Sequence, residues 1–440
     1  MSYKPSMFCV PVEDGDLMLV YNTLTSSLVR VKREMYHKLF IDGTIPDDPN
    51  QRDALISMGF FVEADKDEYF YLQTIRRQYQ YANKGVTGAV IAVTTDCNAR
   101  CYYCYENGID RHPMELETAQ AVAKFLIDNN KTGKLVVQWF GGEPLCAIPT
   151  IDFISSRIRN AGIQLSGLIT TNGYLIDEDI LFKARKDWNI RRFQIPVDAI
   201  GVEYDRVKNY KDQDSSESAF DRVIKNIHKV LDAGFHVNAR TNFDPNNVEP
   251  TKRVLRFLAE EFRGEQRFFA YPEPITGVNM PSVVDYDIIG DKPHPYLDLL
   301  SEMRRLSFLY PTLLKEDDYL EGSESLSGIK LVSRPTGCYA TLMSVFAIDA
   351  DGKLFKCHRQ VGRGDQLSCG DVFRGISYNG ILKDCCGDVP CYDECYHCSL
   401  LPLCHGGCHV KKQLYGGKSG CIAIKDIVQD VIRVYASEHG

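Results

Sequence analysis

From about residue 88 the hydrophobic and polar positions follow two alternating periods, one typical of buried strands and the other of amphipathic helices. The predicted strands are GAVIAVTTD, which starts at residue 88, and then KLVVQWFGG, LSGLITTNG, RRFQIPVD and FHVNARTNF. The helices predicted between them cover 114–129, 149–162, 177–187 and 219–233. Repeated strand–helix units imply an α/β fold with parallel strands, and they place the reactive residues at the carboxyl ends of those strands.

The first 80 or so residues show a different pattern, which predicts a separate module, 1–80, of winged-helix character. Two hydrophobic stretches, 17–23 and 27–31, flank a polar turn as the strands of a hairpin do. An amphipathic stretch at 33–40 and a second helical stretch ending at Gly59 follow. The segment FFVEADKDEYFYL then predicts a strand, an acidic turn and another strand. A decorative N-terminal extension is the alternative to a functional module.

The last third of the chain is dominated by cysteines. Of the sixteen cysteines, eleven lie between Cys338 and Cys421. We expect a C-terminal domain over 331–440 that needs metal to fold, because it is poor in long apolar runs. Residues 251–330 mix helical stretches with loops rich in Pro and Gly, and we expect them to connect this domain to the strand–helix domain, 85–250.

Composition and charge narrow the functional classes. A chain of 440 residues is too long for one core, and 44% hydrophobic with 25% charged residues is ordinary for a globular protein. The net charge of −8 gives no support to nucleic-acid or membrane binding. No apolar run approaches the roughly 20 residues of a membrane helix, and the first residues lack the apolar segment of a signal peptide. We therefore expect a cytoplasmic protein, whose cysteines indicate metal or catalytic chemistry rather than disulfides.

Three cysteines follow the first predicted strand of the α/β region. Cys97, Cys101 and Cys104 fall within eight residues of each other. Three thiolates so spaced can bind three corners of a cubane iron–sulfur cluster and leave the fourth iron open to another molecule. Zinc is the alternative, although a structural zinc site requires four ligands and is usually built from paired CxxC loops.

This spacing resembles the CxxxCxxC motif of the radical S-adenosylmethionine (SAM) enzymes, which follows the first strand of a partial (β/α)6 barrel. The resemblance implies that Cys97, Cys101 and Cys104 hold a 4Fe–4S cluster whose open iron chelates the methionine moiety of SAM. It also implies one-electron cleavage of SAM to a 5′-deoxyadenosyl radical that abstracts hydrogen from an unactivated carbon. The electron would come from a flavodoxin- or ferredoxin-type reductant.

Further motifs of that family occur in order at later strand ends. Gly141, Gly142, Glu143 and Pro144 resemble the GGEP element, whose backbone and Glu accept the methionine ammonium. Tyr103 resembles the aromatic residue near the adenine. Other strand-end residues resemble ones near the ribose, the methionine or the cofactor carboxylate: Thr171, Asn172, Asp198, Arg240 and Asn242. One segment departs from the pattern, since Tyr-Asp-Arg-Val-Lys at 204–208 replaces HDxxR.

The C-terminal cysteines resemble the SPASM domain of peptide- and protein-modifying radical enzymes. The match begins with Cys338, Gly352 and Cys357 and continues as CxxCx5CxxxC from Cys395 to Cys408, with twelve residues between Cys408 and Cys421. The resemblance implies two auxiliary 4Fe–4S clusters, and hence three clusters in all. Its pattern assigns the first cluster to Cys338, Cys357 and Cys408, and the second to Cys395, Cys398, Cys404 and Cys421. Zinc ribbons are the alternative, because three histidines lie nearby.

Four further cysteines leave the ligand set of the first auxiliary cluster open. Cys385, Cys386 and Cys391 lie in a predicted loop, and any one of them could be a fourth ligand. Cys369 lies in an apolar setting typical of a buried small side chain. Without a fourth protein ligand, the open iron would be available to a substrate thiolate.

The N-terminal pattern resembles the element that binds leader peptides of ribosomally made, post-translationally modified peptides. Such elements take the leader as an added strand on an exposed sheet edge. The resemblance implies an enzyme that abstracts hydrogen from a precursor peptide and forms an intramolecular cross-link, with a cysteine thioether of the sactipeptide or ranthipeptide type preferred. A carbon–carbon or ether cross-link stays open.

Anaerobic sulfatase maturation, which oxidises a Cys or Ser to formylglycine, is the competing function. Sulfatase-maturing relatives carry an Asp directly after the second SPASM cysteine, where this chain has His358, and they lack a leader-binding module. Both features favour the peptide cross-linking enzyme. A non-catalytic scaffold for three clusters is a third interpretation, which an intact GGEP disfavours.

Overall fold

The computed structural model of the chain has two compact units, each with its own core. The first comprises 1–82, 326–342 and 387–440, and the second comprises 83–325 and 343–386. The residues that the structure describes are 2–81, 84–104, 106–211, 217–243, 247–275, 338–387, 390–415, 428–429, 432–433 and 436. Cys421 and most of the expected connector, from residue 276 onward, lie outside the described residues.

In the described part of the chain, the first unit contains five short antiparallel strands. They are β1 (Tyr3–Pro5), β2 (Cys9–Asp14), β3 (Leu17–Asn22), β4 (Ser27–Lys32) and β5 (Phe61–Glu63). Strands β2, β3 and β4 form one sheet in that order, and β1 pairs with β5. The predicted hairpin is confirmed as β3 and β4, which turn at Ser26 with a φ of 61°.

Helices of the first unit follow the predicted positions up to Gly59 and then depart from them. They are α1 (Arg33–Tyr36), which continues as a π-helical turn over His37–Ile41, α2 (Pro49–Ser57) and α3 (Glu68–Gln80). The strand predicted at the end of FFVEADKDEYFYL is wrong, because α3 begins there. Asp67 caps α3 by accepting from Phe70 N at 2.9 Å, and buried Glu68 accepts from Ser6 Oγ at 2.5 Å.

The C-terminal part of the chain completes the core of the first unit. It contributes 3₁₀ turns at Tyr339–Thr341 and Asp393–His397 and short helices at Leu401–Cys404 and His409–Tyr415. Leu19 and Tyr21 of β3 pack with Leu400 and Ile432. Thr23 Oγ1 also donates to Ser399 O at 2.5 Å. The N-terminal strands and the cysteine-rich segment therefore share one hydrophobic core, which the separate modules predicted from the sequence did not anticipate.

The second unit is built on a sheet of eight strands, of which seven are mutually parallel. Its first six strands lie in chain order: β6 (Gly88–Ala92), β7 (Lys134–Phe140), β8 (Gln164–Thr170), β9 (Ile190–Pro196), β10 (His236–Phe243) and β11 (Phe268–Pro274). Strand β12 (Val345–Ile348) pairs parallel with β6, and β13 (Leu354–Phe355) pairs antiparallel with β12. Strands β14 (Gly370–Asp371) and β15 (Gly375–Ile376) form a separate ribbon. The five predicted strands are confirmed as β6 to β10.

Helices connect these strands, as parallel pairing requires. They are α4 (Leu116–Asn129), α5 (Ile148–Asn160), α6 (Glu178–Lys186), α7 (Val202–Lys208), α8 (Ala219–Asp232) and α9 (Val248–Glu261), followed by α10 (Gly380–Cys386). Helix α8 illustrates how the sequence determines the start and the buried face of such a helix. Ser218 caps its start, and buried Val223, Ile227 and Leu231 recur every four residues on the face toward the sheet. Among the described residues, no helix is long and apolar enough to cross a membrane.

The parallel sheet continues past residue 250, where the sequence placed the end of the strand–helix domain. Helix α9 and strand β11 extend it to Pro274, with Val237 opposite Phe268 and Phe243 opposite Pro274. The segment FFAYPEP resembles a loop because it contains two prolines. Proline is tolerated here because β11 is an edge strand, which needs hydrogen bonds on one side only.

The shared core of the first unit predicts the effect of a single truncation. Leu19 is 1% exposed, and Leu19→Ala should lower the free energy of unfolding of the first unit by about 2–5 kcal/mol through lost burial and a residual cavity. Limited proteolysis should then release fragments from both 1–82 and 387–440. Exposed Met35→Ala on α1 is the control and should leave both regions protected. Loss of protection in the N-terminal region alone would contradict a common core.

Candidate active site

A cavity of about 250 Å³ lies at the carboxyl ends of the central strands of the second unit. That volume far exceeds the roughly 30 Å³ of one water molecule. Most of the residues predicted to bind the first cluster and SAM line it: Cys97, Cys101, Tyr103, Cys104, Gly141, Gly142, Thr171, Asn172, Arg240 and Asn242. With Pro196 at the end of β9, the lining comes from five successive strand ends. Glu143, Pro144 and Asp198 are buried behind this lining.

The cysteine loop between β6 and α4 is held by its own backbone and by Arg100. Arg100 Nη1 donates to the carbonyls of Cys97 at 2.5 Å and Ala99 at 2.6 Å, and Cys104 N donates to Cys101 O at 3.1 Å. Burial raises the pKa of Cys97 to about 12 and that of Cys104 to about 11, with neighbouring carboxylates adding to both. Without metal these thiols are therefore protonated at neutral pH, whereas metal coordination deprotonates a thiol.

The glycine loop after β7 packs directly on the cysteine loop. Gly142 N donates to Thr94 O at 3.0 Å, and Glu143 N donates to Asp96 O at 2.8 Å. A Cβ at Gly141 would lie 2.2 Å from Thr94 O, and one at Gly142 would lie 2.3 Å from Asp96 O. Both positions therefore require glycine, since the obstructing atoms belong to the backbone.

Glu143 is fully buried, and its carboxylate binds the next strand end. Oε1 accepts from Thr171 Oγ1 at 2.6 Å and from Leu145 N at 3.1 Å, while Oε2 accepts from Asn172 N at 2.7 Å. The resemblance predicts that this carboxylate accepts the methionine ammonium, and that stays a prediction. The partners of Glu143 in the structure are groups of the protein. Burial raises the pKa of Glu143 to about 7, despite the three hydrogen bonds that favour the charged form.

Asp198, after β9, is also buried, and it binds the residues around it. Its Oδ1 accepts from both N and Nδ2 of Asn242, each at 2.8 Å, and its Oδ2 accepts from Lys208 Nζ at 2.6 Å. Burial acts to raise the pKa of this carboxyl, but the Lys208 ammonium and the hydrogen bonds outweigh it and hold the pKa below its ordinary value. Arg240 Nε donates to Asn242 Oδ1 at 2.8 Å on the cavity wall.

Sequence reasoning missed several residues that line the cavity. Lys208 is the last residue of the segment 204–208, and its alignment with the Arg of HDxxR was the available signal. His358 was noted only as a replacement for Asp, yet it lines this cavity with its ring centroid 5.1 Å from that of Phe140. Burial, with help from Arg359 and Arg240, lowers the pKa of His358 to about 3, so its imidazole is neutral.

The remaining cysteines are divided between the two units. Cys357 lies in the second unit and is buried, as are Cys369, Cys385 and Cys386. Predicted ligands in the first unit are Cys338, Cys395, Cys398, Cys404 and Cys408, and Cys391 lies there too. No disulfide joins any two of the fifteen cysteines in the described part of the chain. Soft thiolates are typical ligands of iron–sulfur clusters.

The family model of the radical SAM superfamily matches residues 91–258. An uncharacterized protein of Methanocaldococcus jannaschii is 31% identical over 291 residues, which are 65% of this chain and 88% of that protein. The chain therefore belongs to the radical SAM superfamily, and it is an enzyme. Membership implies SAM and a 4Fe–4S cluster. Cys97, Cys101 and Cys104 line this cavity together with Gly141 and Gly142. In the described residues, no three or more Cys, His, Asp or Glu side chains are grouped closely enough to hold a metal ion as they stand.

Two further comparisons concern maturating enzymes and the fold. The cysteine-type anaerobic sulfatase-maturating enzyme of Clostridium novyi is 22% identical over 366 residues, 75% of this chain and 89% of that enzyme. The solved structure of anSMEcpe with bound AdoMet has a TM-score of 0.57 at 16% identity, covering 80% of this chain and 98% of its own. Streptococcus suis SuiB has a TM-score of 0.50 at 15% identity, covering 94% and 98%. At such identities the structural likeness shows a common fold alone.

The raised pKa of Glu143 predicts a pH dependence of stability. Because the folded protein binds this proton more tightly than the unfolded chain, the stability contributed by Glu143 is fully present below pH 4.5 and is lost as pH rises through about 7. Glu143→Gln cannot titrate. Its free energy of unfolding relative to wild type should therefore rise by on the order of 3 kcal/mol between pH 4.5 and 7.5. Denaturant titrations at both pH values measure this change.

Exposed Glu117→Gln on α4 is the matched control and should show no such change. Wild type and Glu143→Gln with the same pH dependence would contradict the burial argument.

Proposed function

We propose that this enzyme modifies a ribosomally made precursor peptide by forming an intramolecular cross-link, with a cysteine thioether of the sactipeptide or ranthipeptide type as the bond. The observation that carries the proposal is the combination of the CxxxCxxC cavity with the SPASM-like cysteine series in one chain. Peptide substrates are supported by a second structure of anSMEcpe, which holds AdoMet together with a Cp18Cys peptide and has a TM-score of 0.56.

In this proposal the cavity residues divide into cluster ligands and SAM-binding groups. Cys97, Cys101 and Cys104 hold the first cluster. Thr171, Asn172, Arg240 and Asn242 line the proposed SAM site, while Tyr103 provides an aromatic wall. When bound, the cluster and SAM supply a one-electron cleavage that removes a hydrogen atom from an unactivated carbon. The protein's own contribution is to orient these groups and to keep water from the reacting atoms.

Formation of a thioether bond would release one electron, and the auxiliary clusters, when bound, would supply an acceptor for it. The peptide carbon gives a hydrogen atom to the adenosyl group, which leaves as 5′-deoxyadenosine, and the cysteine thiol gives its proton to solvent. One electron remains to be removed from the peptide. Cys338, Cys357 and Cys408 hold the first acceptor cluster in this proposal, and Cys395, Cys398, Cys404 and Cys421 the second.

The edge of the three-stranded sheet is the proposed site for a leader peptide. Strands β2 and β4 are its two edges. On β2, Glu13 O accepts from Arg433 Nε at 3.2 Å, so the C-terminal region already contacts that edge. We therefore assign the leader to β4, where backbone groups can pair with an added strand. Lys32 is exposed on β4 and favours an acidic side chain in the leader, whereas the exposed Arg30 already pairs with Asp14, with 3.4 Å between Nε and Oδ2.

Sulfatase maturation is the second candidate, and the relative in Clostridium novyi favours it. Our reason for preferring the peptide enzyme is His358, which lines the cavity at the position where a sulfatase-maturing enzyme requires a carboxylate base. A neutral imidazole with a pKa of about 3 is a weak base. Formylglycine formation removes the sulfur of a substrate cysteine, whereas cross-linking retains it.

Metal content tests the cluster assignment. Anaerobic reconstitution should load about twelve irons per chain, four for each of three cubane clusters. Replacing Cys97, Cys101 and Cys104 together by Ala should lower the iron by one cluster and abolish 5′-deoxyadenosine release. Cys146→Ala is a matched control in the same unit and should keep full iron. About four irons in the wild type would remove the auxiliary clusters from the proposal.

Product mass tests the reaction. With the precursor encoded beside the gene, each thioether should lower the intact mass by two hydrogens while one free thiol disappears. A leaderless peptide should react more slowly than the full precursor, because β4 no longer binds it. Loss of sulfur from a cysteine would instead indicate formylglycine formation. Loss of two hydrogens with all thiols intact would indicate a carbon–carbon or ether bond.

A further inference from the structure

Lys208 has contacts that none of the site motifs explains. Its side chain is 1% exposed, and its Nζ lies 2.6 Å from Asp198 Oδ2 and 3.0 Å from Tyr103 Oη. The backbone of the same residue reaches the cysteine loop, since Arg100 N donates to Lys208 O at 2.8 Å. One residue at the end of α7 therefore binds the cysteine loop through both its side chain and its carbonyl.

The neighbouring backbone strengthens this connection. Lys211 N donates to Asn98 O at 2.9 Å, so the segment after α7 and the cysteine loop share two backbone hydrogen bonds. Asn98 Oδ1 in turn accepts from Asn172 Nδ2 at 2.7 Å. The cysteine loop is thus hydrogen-bonded to the segment that begins at Lys208 and to Asn172, in addition to its contacts with the glycine loop.

Asp198 has no hydrogen-bonding capacity left for a ligand. A carboxylate has about four acceptor positions, and four donors already occupy those of Asp198. Two come from Asn242, one from Lys208 and one from Tyr103, whose Oη donates to Oδ2 at 2.5 Å. The side chain is 2% exposed and lies behind the cavity wall. The sequence-based assignment of Asp198 to the cofactor-binding residues stays a prediction, and these four contacts favour an indirect role for it.

We infer that Lys208 and Asp198 form a buried ion pair that positions the cysteine loop and the Tyr103 ring for SAM, without Asp198 touching it. The pair joins Tyr103 to the ends of β9 and β10 before SAM arrives. Preorganised groups of this kind raise affinity because less ordering remains to be done on binding. The inference holds for any peptide substrate, and it rests on the proposed cluster at Cys97, Cys101 and Cys104.

SAM affinity of the reconstituted enzyme tests this role. The probe is SAM itself, titrated against the electron paramagnetic resonance spectrum of the reduced enzyme, with iron content measured first. Lys208→Met should keep the first cluster but bind SAM at least tenfold more weakly. Lys208→Arg keeps the charge and should restore affinity to within about threefold of wild type. Tyr103→Phe should weaken SAM binding, and adding it to Lys208→Met should weaken it little further, because the hydroxyl acts through the ammonium.

The control is a second lysine–aspartate pair with the same chemistry elsewhere in the second unit. Lys183 Nζ lies 2.5 Å from Asp152 Oδ2 on the helical layer, and Lys183→Met should leave SAM affinity unchanged. If Lys208→Met fails to load iron, Lys208→Gln replaces it, since it keeps a donor for Asp198 without the charge. Wild-type SAM affinity in a cluster-loaded Lys208→Met or Lys208→Gln variant would overturn the inference. Absence of iron at the three cysteines in the wild type would instead refute the cluster assignment.

Discussion

The site depends on the close backbone contact between the glycine loop and the cysteine loop. Gly141 and Gly142 lie so near the carbonyls of Thr94 and Asp96 that a single methyl group at either glycine would collide with backbone. This contact places Glu143 at the start of the next turn, where its carboxylate reaches the end of β8. Each strand end in the cavity is thus fixed by the one beside it. Six parallel strands in chain order make such a succession of contacts possible.

The pKa values of two buried carboxyl groups in this site shift in opposite directions. Glu143 receives three hydrogen bonds from neutral groups, which do not offset the loss of hydration, so its pKa rises to about 7. Asp198 faces the Lys208 ammonium, which does offset that loss and keeps the carboxyl charged. The cavity is therefore bordered by one carboxyl that is near its titration point at neutral pH and one that stays ionised. The difference lies in the partner, since both side chains are buried.

The sequence predicts the features of this site that depend on local order. The period of the strands and helices places CxxxCxxC, GGEP and TNG at successive strand ends, and the structure brings these segments to one cavity. Contacts between distant segments were not predictable in this way. The pairing of Lys208 with Asp198 requires the turn after α7 to return beneath the cysteine loop. The hydrogen bond from Thr171 to Glu143 is likewise not predicted, because the TNG motif places Thr171 at its strand end without specifying this partner.

The N-terminal module also depends on contacts between distant segments that the sequence pattern does not predict. Its hairpin follows from local pattern, but its hydrophobic face is covered by residues nearly 400 positions later, including Leu400 and Ile432. Arg76 of α3 also donates to Leu401 O at 2.6 Å. These contacts lie next to Cys395 and Cys398, which pack on the same cores. The proposed leader peptide, added at the edge of β4, would extend the sheet whose strands β2 and β3 pack on the cysteine segment. Removing the first 80 residues would therefore expose the core that the cysteine segment shares with β3, whether or not a peptide binds β4.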